Sequence, residues 1–211
     1  MVHNFGHGKD GVEPQGSLTF DAAGNLYGAT YFGGSKGDGM AFELSPKAGG
    51  GWAETELHSF QGSPNDAYLP IGSLIFDAAG NLYGASYKGG PGNVGTVFEL
   101  TKGGSGTWTS SLLHKFENNG IDGYYPEGSL TFDRSGNLYG TAYSGGADGD
   151  GVVYKLTPNG GVWSESLPLT FNDANGALPC SGLIFDSTGN LYSTTLEGGA
   201  HNGGTVFELT P

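Results

Sequence analysis

The sequence predicts an all-β protein of the β-propeller class, and three observations carry that expectation. Glycine supplies 42 of the 211 residues, against a usual share of ~7%. Aromatic residues are plentiful, with 11 Tyr, 12 Phe and 3 Trp. One motif recurs four times along the chain. The glycines follow no three-residue period, which excludes collagen. Their density disfavours long helices, and the aromatic content is foreign to disordered chains. A turn-rich β protein remains.

The repeat fixes the register. Phe-Asp occurs at Phe20-Asp21, Phe76-Asp77, Phe132-Asp133 and Phe185-Asp186, with spacings of 56, 56 and 53. Gly-Asn-Leu-Tyr follows each, beginning at Gly24, Gly80, Gly136 and Gly189. Gly-Gly pairs come next, at Gly33, Gly89, Gly145 and Gly198, then an aromatic centre at Phe42, Phe98, Tyr154 and Phe207. Three copies continue to Trp52, Trp108 and Trp163, and from there to Phe60, Phe116 and Phe171.

Each copy reads as four short strands. In the first copy Ser17 to Phe20 alternates as a strand, and Asp21 to Gly24 is a tight turn. Asn25 to Tyr31, Met40 to Leu44 and Trp52 to Phe60 supply the other three. Four antiparallel strands per repeat is the pattern of a propeller blade. The fourth copy lacks its last strand, and Val2-His3-Asn4-Phe5 matches Leu57-His58-Ser59-Phe60. The expectation is a single four-bladed domain over residues 1–211, with blades at 17–60, 73–116, 129–171 and 182–211. Residues 2–5 would complete the last blade and close the ring, leaving no unpaired edge. The rivals are a piece of a longer array, or two chains completing a larger ring; a monomer is the first expectation.

Gly80 to Ser86, Gly89-Gly90 and Gly95 to Leu100 together resemble the bacterial tandem repeats called GloVer repeats. The resemblance covers nearly the whole chain. It implies an exported propeller-like array, outside the cell or at its surface, with the signal and anchor absent from this chain. It implies no catalytic residues.

Net charge is −13. A phosphate backbone or an anionic membrane would be repelled, so neither nucleic acid nor membrane is an expected partner. The sequence has no apolar run of membrane-spanning length. A single cysteine, Cys180, cannot form an internal disulfide.

Positions shared by all copies read as scaffold, and loop positions that differ read as candidates for function. Asp21, Asp77, Asp133 and Asp186 therefore read as turn caps, and the tryptophans as core. His3, His58 and His114 fall on separate blades, too far apart to share one metal ion. The loops entering the innermost strands end in Pro14, Pro70, Pro126 and Pro179, followed by Gln15, Ile71, Glu127 and Cys180. Asp10, Asp66, Asp122 and Asn175 lie four residues before these prolines, and Tyr68, Tyr124, Tyr125 and Glu13 also fall here. The expected binding face thus comprises Gln15, Tyr68, Tyr124, Tyr125, Glu127, Asp10, Asp66 and Asp122 at the mouth of the central channel. Tyrosine faces beside carboxylates suit a carbohydrate or other small polar ligand.

An enzyme is the alternative, a hydrolase or lyase at the same mouth. Its candidates are Glu13 and Glu127 as a carboxylate pair, or Cys180 activated by His7 or His201. A structural or adhesion repeat without a small ligand is the second alternative. No nucleotide-binding motif is present and no metal set is expected. Calcium is the one ion with partial motifs, at Asp148 to Gly151 and Asp173 to Gly176, and neither has the late bidentate carboxylate.

Overall fold

The computed structural model describes residues 1–104 and 106–210. Its strands fall into four antiparallel sheets, one per repeat, in chain order. Blade one comprises β1 (Gly11–Phe20), β2 (Leu26–Gly33), β3 (Met40–Pro46) and β4 (Trp52–Ser59). Blade two comprises β5 (Ala67–Phe76), β6 (Leu82–Gly89), β7 (Thr96–Lys102) and β8 (Trp108–Lys115). In blade three the innermost strand is split into β9 (Gly123–Pro126) and β10 (Thr131–Phe132), both paired with β11 (Leu138–Gly145). β12 (Val152–Asn159) and β13 (Val162–Thr170) complete that blade. Blade four holds β14 (Ile184–Phe185), β15 (Leu191–Thr195) and β16 (Thr205–Leu209).

The shared motif builds the turn that enters the second strand. Asp21 Oδ1 accepts from the backbone N–H of Ala23 and Asn25, and Oδ2 accepts from Asn25 Nδ2 at 2.8 Å and Tyr27 Oη at 3.1 Å. Asp77, Asp133 and Asp186 repeat this bracket. The turn-cap reading of these aspartates therefore holds. Burial alone would raise each carboxyl, but the converging donors outweigh it and hold all four below the usual range.

Blades dock through repeated contacts. The last aromatic of one outer strand meets the central aromatic of the next blade: Phe60 on Phe98 at 4.8 Å, Phe116 on Tyr154 at 5.0 Å, Phe171 on Phe207 at 5.1 Å. Trp108 and Trp163 turn their rings toward Tyr27 and Tyr83 of the preceding blade, confirming them as packing residues. Pro126 fits against Gly95, where a Cβ would lie 2.4 Å from the proline Cδ. The residue before this proline, Tyr125, sits at φ 59°, as Leu69 and Leu178 do at φ 57°. That strained conformation aims each N–H at the preceding blade: Leu69 donates to Asp38 O, Tyr125 to Val94 O, Leu178 to Asp150 O. The innermost strands are stitched by Ser17 N donating to Ser73 Oγ and Ser73 N donating to Ser129 Oγ.

Two expectations need correction. β1 and β5 begin six residues before the strands expected at Ser17 and Ser73, so Pro14 and Pro70 lie within strands. An innermost strand has a partner on one side only, which accommodates a residue without an N–H. The expected ring closure is also not seen. Among the described residues no ladder joins residues 2–5 to β16, and blade four stays three-stranded. Val206 on β16 is 79% exposed, whereas its counterpart Val97 is fully buried. Phe5 does pack on Phe42 at 4.9 Å, so residues 2–5 lie against blade one as an outer strand would. The steps from blade one to two, from two to three and from three to four repeat the same docking contacts.

Candidate functional site

The axial cluster contains part of the expected mouth. Tyr87 stacks on Tyr125 with centroids 4.6 Å apart and planes 19° apart, and Tyr124 meets Tyr125 edge-on at 5.1 Å. Glu127 is half-buried among them, and burial raises its carboxyl above the ordinary range. Tyr31 is raised first by burial, then by the fields of Tyr87, Glu127, Tyr68 and Glu13. Tyr87 is raised first by burial, then by Glu127, Tyr125 and Tyr143. These mutual fields place Glu13, Tyr31, Tyr68, Tyr87, Tyr125, Glu127 and Tyr143 within one electrostatic neighbourhood. Sequence reasoning named Glu13, Tyr68, Tyr125 and Glu127 for the site. Tyr87, on β6, reaches the site from blade two and stacks on Tyr125 of blade three. Gln15 is exposed in β1, paired with Ala29.

The aspartates expected beside these tyrosines do something else. Asp10, Asp66 and Asp122 aim their carboxylates at histidines of the preceding outer-strand position. His3 Nε2 is 3.1 Å from Asp10 Oδ2, His58 Nε2 is 3.0 Å from Asp66 Oδ2, and His114 Nε2 is 3.6 Å from Asp122 Oδ2. His58 lies on β4 and His114 on β8, whereas His3, expected on blade four, precedes β1 outside any ladder, and each has an acidic partner of its own. Glu54 Oε2 lies 3.2 Å from His3, and Glu165 Oε1 lies 3.3 Å from His114. The middle copy has Ser110 at that position, its Oγ 3.4 Å from Asp66 Oδ1. Burial first, then the neighbouring aspartate, pushes Glu54 and Glu165 up to about 7, against the opposing pull of the histidine. The signal was present in the sequence: Glu54, Ser110 and Glu165 each fall two residues after the repeated Trp. It needed the blade docking to show that this position faces the preceding histidine.

Among the described residues no hydrogen bond joins Cys180 to His7 or His201. His7 is exposed and borders a hollow with Lys9, Ser35, Met40 and Glu54 of blade one, while His201 is exposed in the β15–β16 loop of blade four. Cys180 is a half-buried free thiol. A separate cleft between blades three and four is lined by Phe132, Arg134, Tyr139 and Phe185, with Arg134 Nη2 donating to Ser187 O. It lies among the turn brackets, away from both clusters. Among the described residues no helix is long and apolar enough to cross a membrane.

Comparison with solved structures supports the propeller-like architecture. A candidate gluconolactonase superposes with TM-score 0.54 at 20% identity, covering 93% of this chain and 64% of that one. A luciferin-regenerating enzyme superposes with TM-score 0.55 at 17% identity, covering 92% of this chain and 60% of that one. The chain thus spans about three-fifths of the length of these proteins. No curated protein matches it in sequence. The family described as the Gloeobacter/Verrucomicrobia repeat matches residues 1–164 and 57–211. Its matches extend over the entire repeat array, and the chain belongs to that family.

Proposed function

We propose that the axial cluster binds a small hydroxyl-bearing ligand, a carbohydrate in the first instance. The observation that carries this is the stacked Tyr87–Tyr125 pair beside the half-buried Glu127. Flat aromatic faces cover the apolar side of a sugar ring, and a carboxylate accepts from its hydroxyls. Divergence at this position fits ligand recognition, because the scaffold needs only the preceding proline. A location outside the cell, which the repeat family suggests, agrees with a glycan ligand.

Hydrolysis is the second reading, favoured by one observation. A carboxyl raised by burial is the better general acid of a carboxylate pair, and Glu13 shares the neighbourhood of Glu127. The two solved relatives described as a candidate gluconolactonase and a luciferin-regenerating enzyme lend this reading analogy of fold only.

Thermal unfolding against a panel of soluble glycans, with product analysis in the same samples, tests both. A dose-dependent rise in melting temperature in the wild type that is lost in Tyr125→Ala and Tyr87→Ala supports binding. Glycan affinity that survives both changes refutes the axial site. Product formed by the wild type and abolished in Glu127→Gln moves hydrolysis to first place.

A further inference from the structure

We propose that His114, Asp122 and Glu165 form a binding site for a divalent transition-metal ion of the zinc class, clipping blade two to blade three. His114 comes from β8, Asp122 lies one residue before β9, and Glu165 comes from β13. The site therefore exists only where the two blades dock.

The first support is unmet bonding. Four side-chain atoms among the described residues are buried and hydrogen-bonded to nothing. Three are His114 Nε2, Asp122 Oδ1 and Glu165 Oε1. The fourth is Tyr154 Oη, fully buried and within the field of Glu165. Orphaned buried polar atoms are scarce and each asks for a cause. Here three of them belong to one cluster. Asp122 is only 7% exposed, so solvent does not satisfy it.

The second support is geometry. Bonds of ~2.0–2.2 Å at tetrahedral angles hold neighbouring donor atoms about 3.3–3.6 Å apart. His114 Nε2 is 3.3 Å from Glu165 Oε1 and 3.6 Å from Asp122 Oδ2, and one donor atom from each residue lies within 4.8 Å of the others. Neither contact forms a hydrogen bond, as a simple ion triad would. Asp122 Oδ2 accepts from the backbone N–H of Glu117 at 2.8 Å, which holds the carboxylate in place and leaves Oδ1 without a partner. An imidazole nitrogen in the set disfavours calcium and magnesium, which prefer all-oxygen shells.

The third support is an internal control. The middle copy, His58 with Asp66, has Ser110 in place of the glutamate. There the histidine is hydrogen-bonded to Asp66 at 3.0 Å and no buried atom is orphaned. The first copy keeps Glu54, but His3 is hydrogen-bonded to Asp10, so its donors are already satisfied. The third copy alone combines the full donor set with unmet bonding.

The test is calorimetric titration of chelator-treated protein with zinc, run beside magnesium and calcium. One equivalent of zinc is expected to bind and raise the melting temperature, with no comparable effect of the other two ions. His114→Ala and Glu165→Gln should weaken that equivalent by at least about tenfold, a loss that even an outer-shell partner can produce. Glu165→Ser, which copies the middle site, should do the same. No zinc binding by the wild type, or unchanged affinity in the variants, overturns the proposal. Should the variants fail to fold, histidine side-chain NMR of the wild type decides. A zinc-dependent shift of the His114 ring supports the site. Shifts confined to the exposed His7 and His201 mean surface binding only and overturn it.

Discussion

Leu18 and Leu74 occupy the same position in successive repeats, yet Leu18 is 49% exposed and Leu74 is 1% exposed. The difference lies in the neighbours, since the local sequence around both is nearly the same. Leu74 sits between two blades, whereas Leu18 lies on the exposed face of blade one, next to Phe20 at 64% exposure. Val206 marks the opposite flank. A propeller blade is an apolar sheet on both faces, and burial arrives only when the next blade does. Covering a histidine and two carboxylates does not need an internal junction, because His3, Asp10 and Glu54 against blade one are covered about as fully as His114, Asp122 and Glu165.

Two pairs of substitutions sharpen the contrast between inner junction and flank. Leu74→Ala removes a side chain packed on all sides and is expected to cost about 2–5 kcal/mol. Leu18→Ala should fall within about 0.5 kcal/mol of the wild type. Chemical denaturation of the two variants measures the gap, and equal losses would mean that the blade one flank is covered in solution. Next in size is the tryptophan pair. Trp163 packs edge-on against Tyr83 of the preceding blade at 6.2 Å, whereas blade one has no preceding sheet to receive Trp52. Trp163→Ala should therefore cost about 1 kcal/mol more than Trp52→Ala, read as the difference in denaturation midpoints.

The smallest effect concerns the turn bracket. The Asp77 carboxyl is held below its ordinary value in the folded state. Its contribution is therefore present above the unfolded-state value and lost as pH falls through the folded one. Asp77→Asn should destabilise modestly at neutral pH, by about 1 kcal/mol or less given its exposure. The difference from wild type should shrink as pH drops below the ordinary carboxylate range. Melting curves at a series of pH values check this, and a constant difference would assign the effect to packing instead of charge.

Much of the fold was legible in the sequence. The interval between Phe-Asp motifs gave the repeats, and alternation gave most strands. The bracket of Asp21 was readable because its partners, Ala23, Asn25 and Tyr27, lie within six residues. The axial cluster was readable in part. Glu13 and Tyr125 directly precede the repeated proline, Tyr68 lies two residues before it and Glu127 one after it, whereas the importance of Tyr87 follows from β6 lying beside β9. Asp10, Asp66 and Asp122 have a similar offset but turn toward the histidines, a choice of side-chain direction that no spacing records.

The sequence by itself determined the repeat, the turn chemistry and the aromatic spine, because each depends on residues close in the chain. Only the tertiary structure decided which faces are buried, whether the ring closes, and where His114 finds Glu165. Those depend on the angle at which one blade docks on the next. That angle is set jointly by prolines against glycines, aromatic pairs and the strained residue before each proline, spread over more than fifty residues of chain.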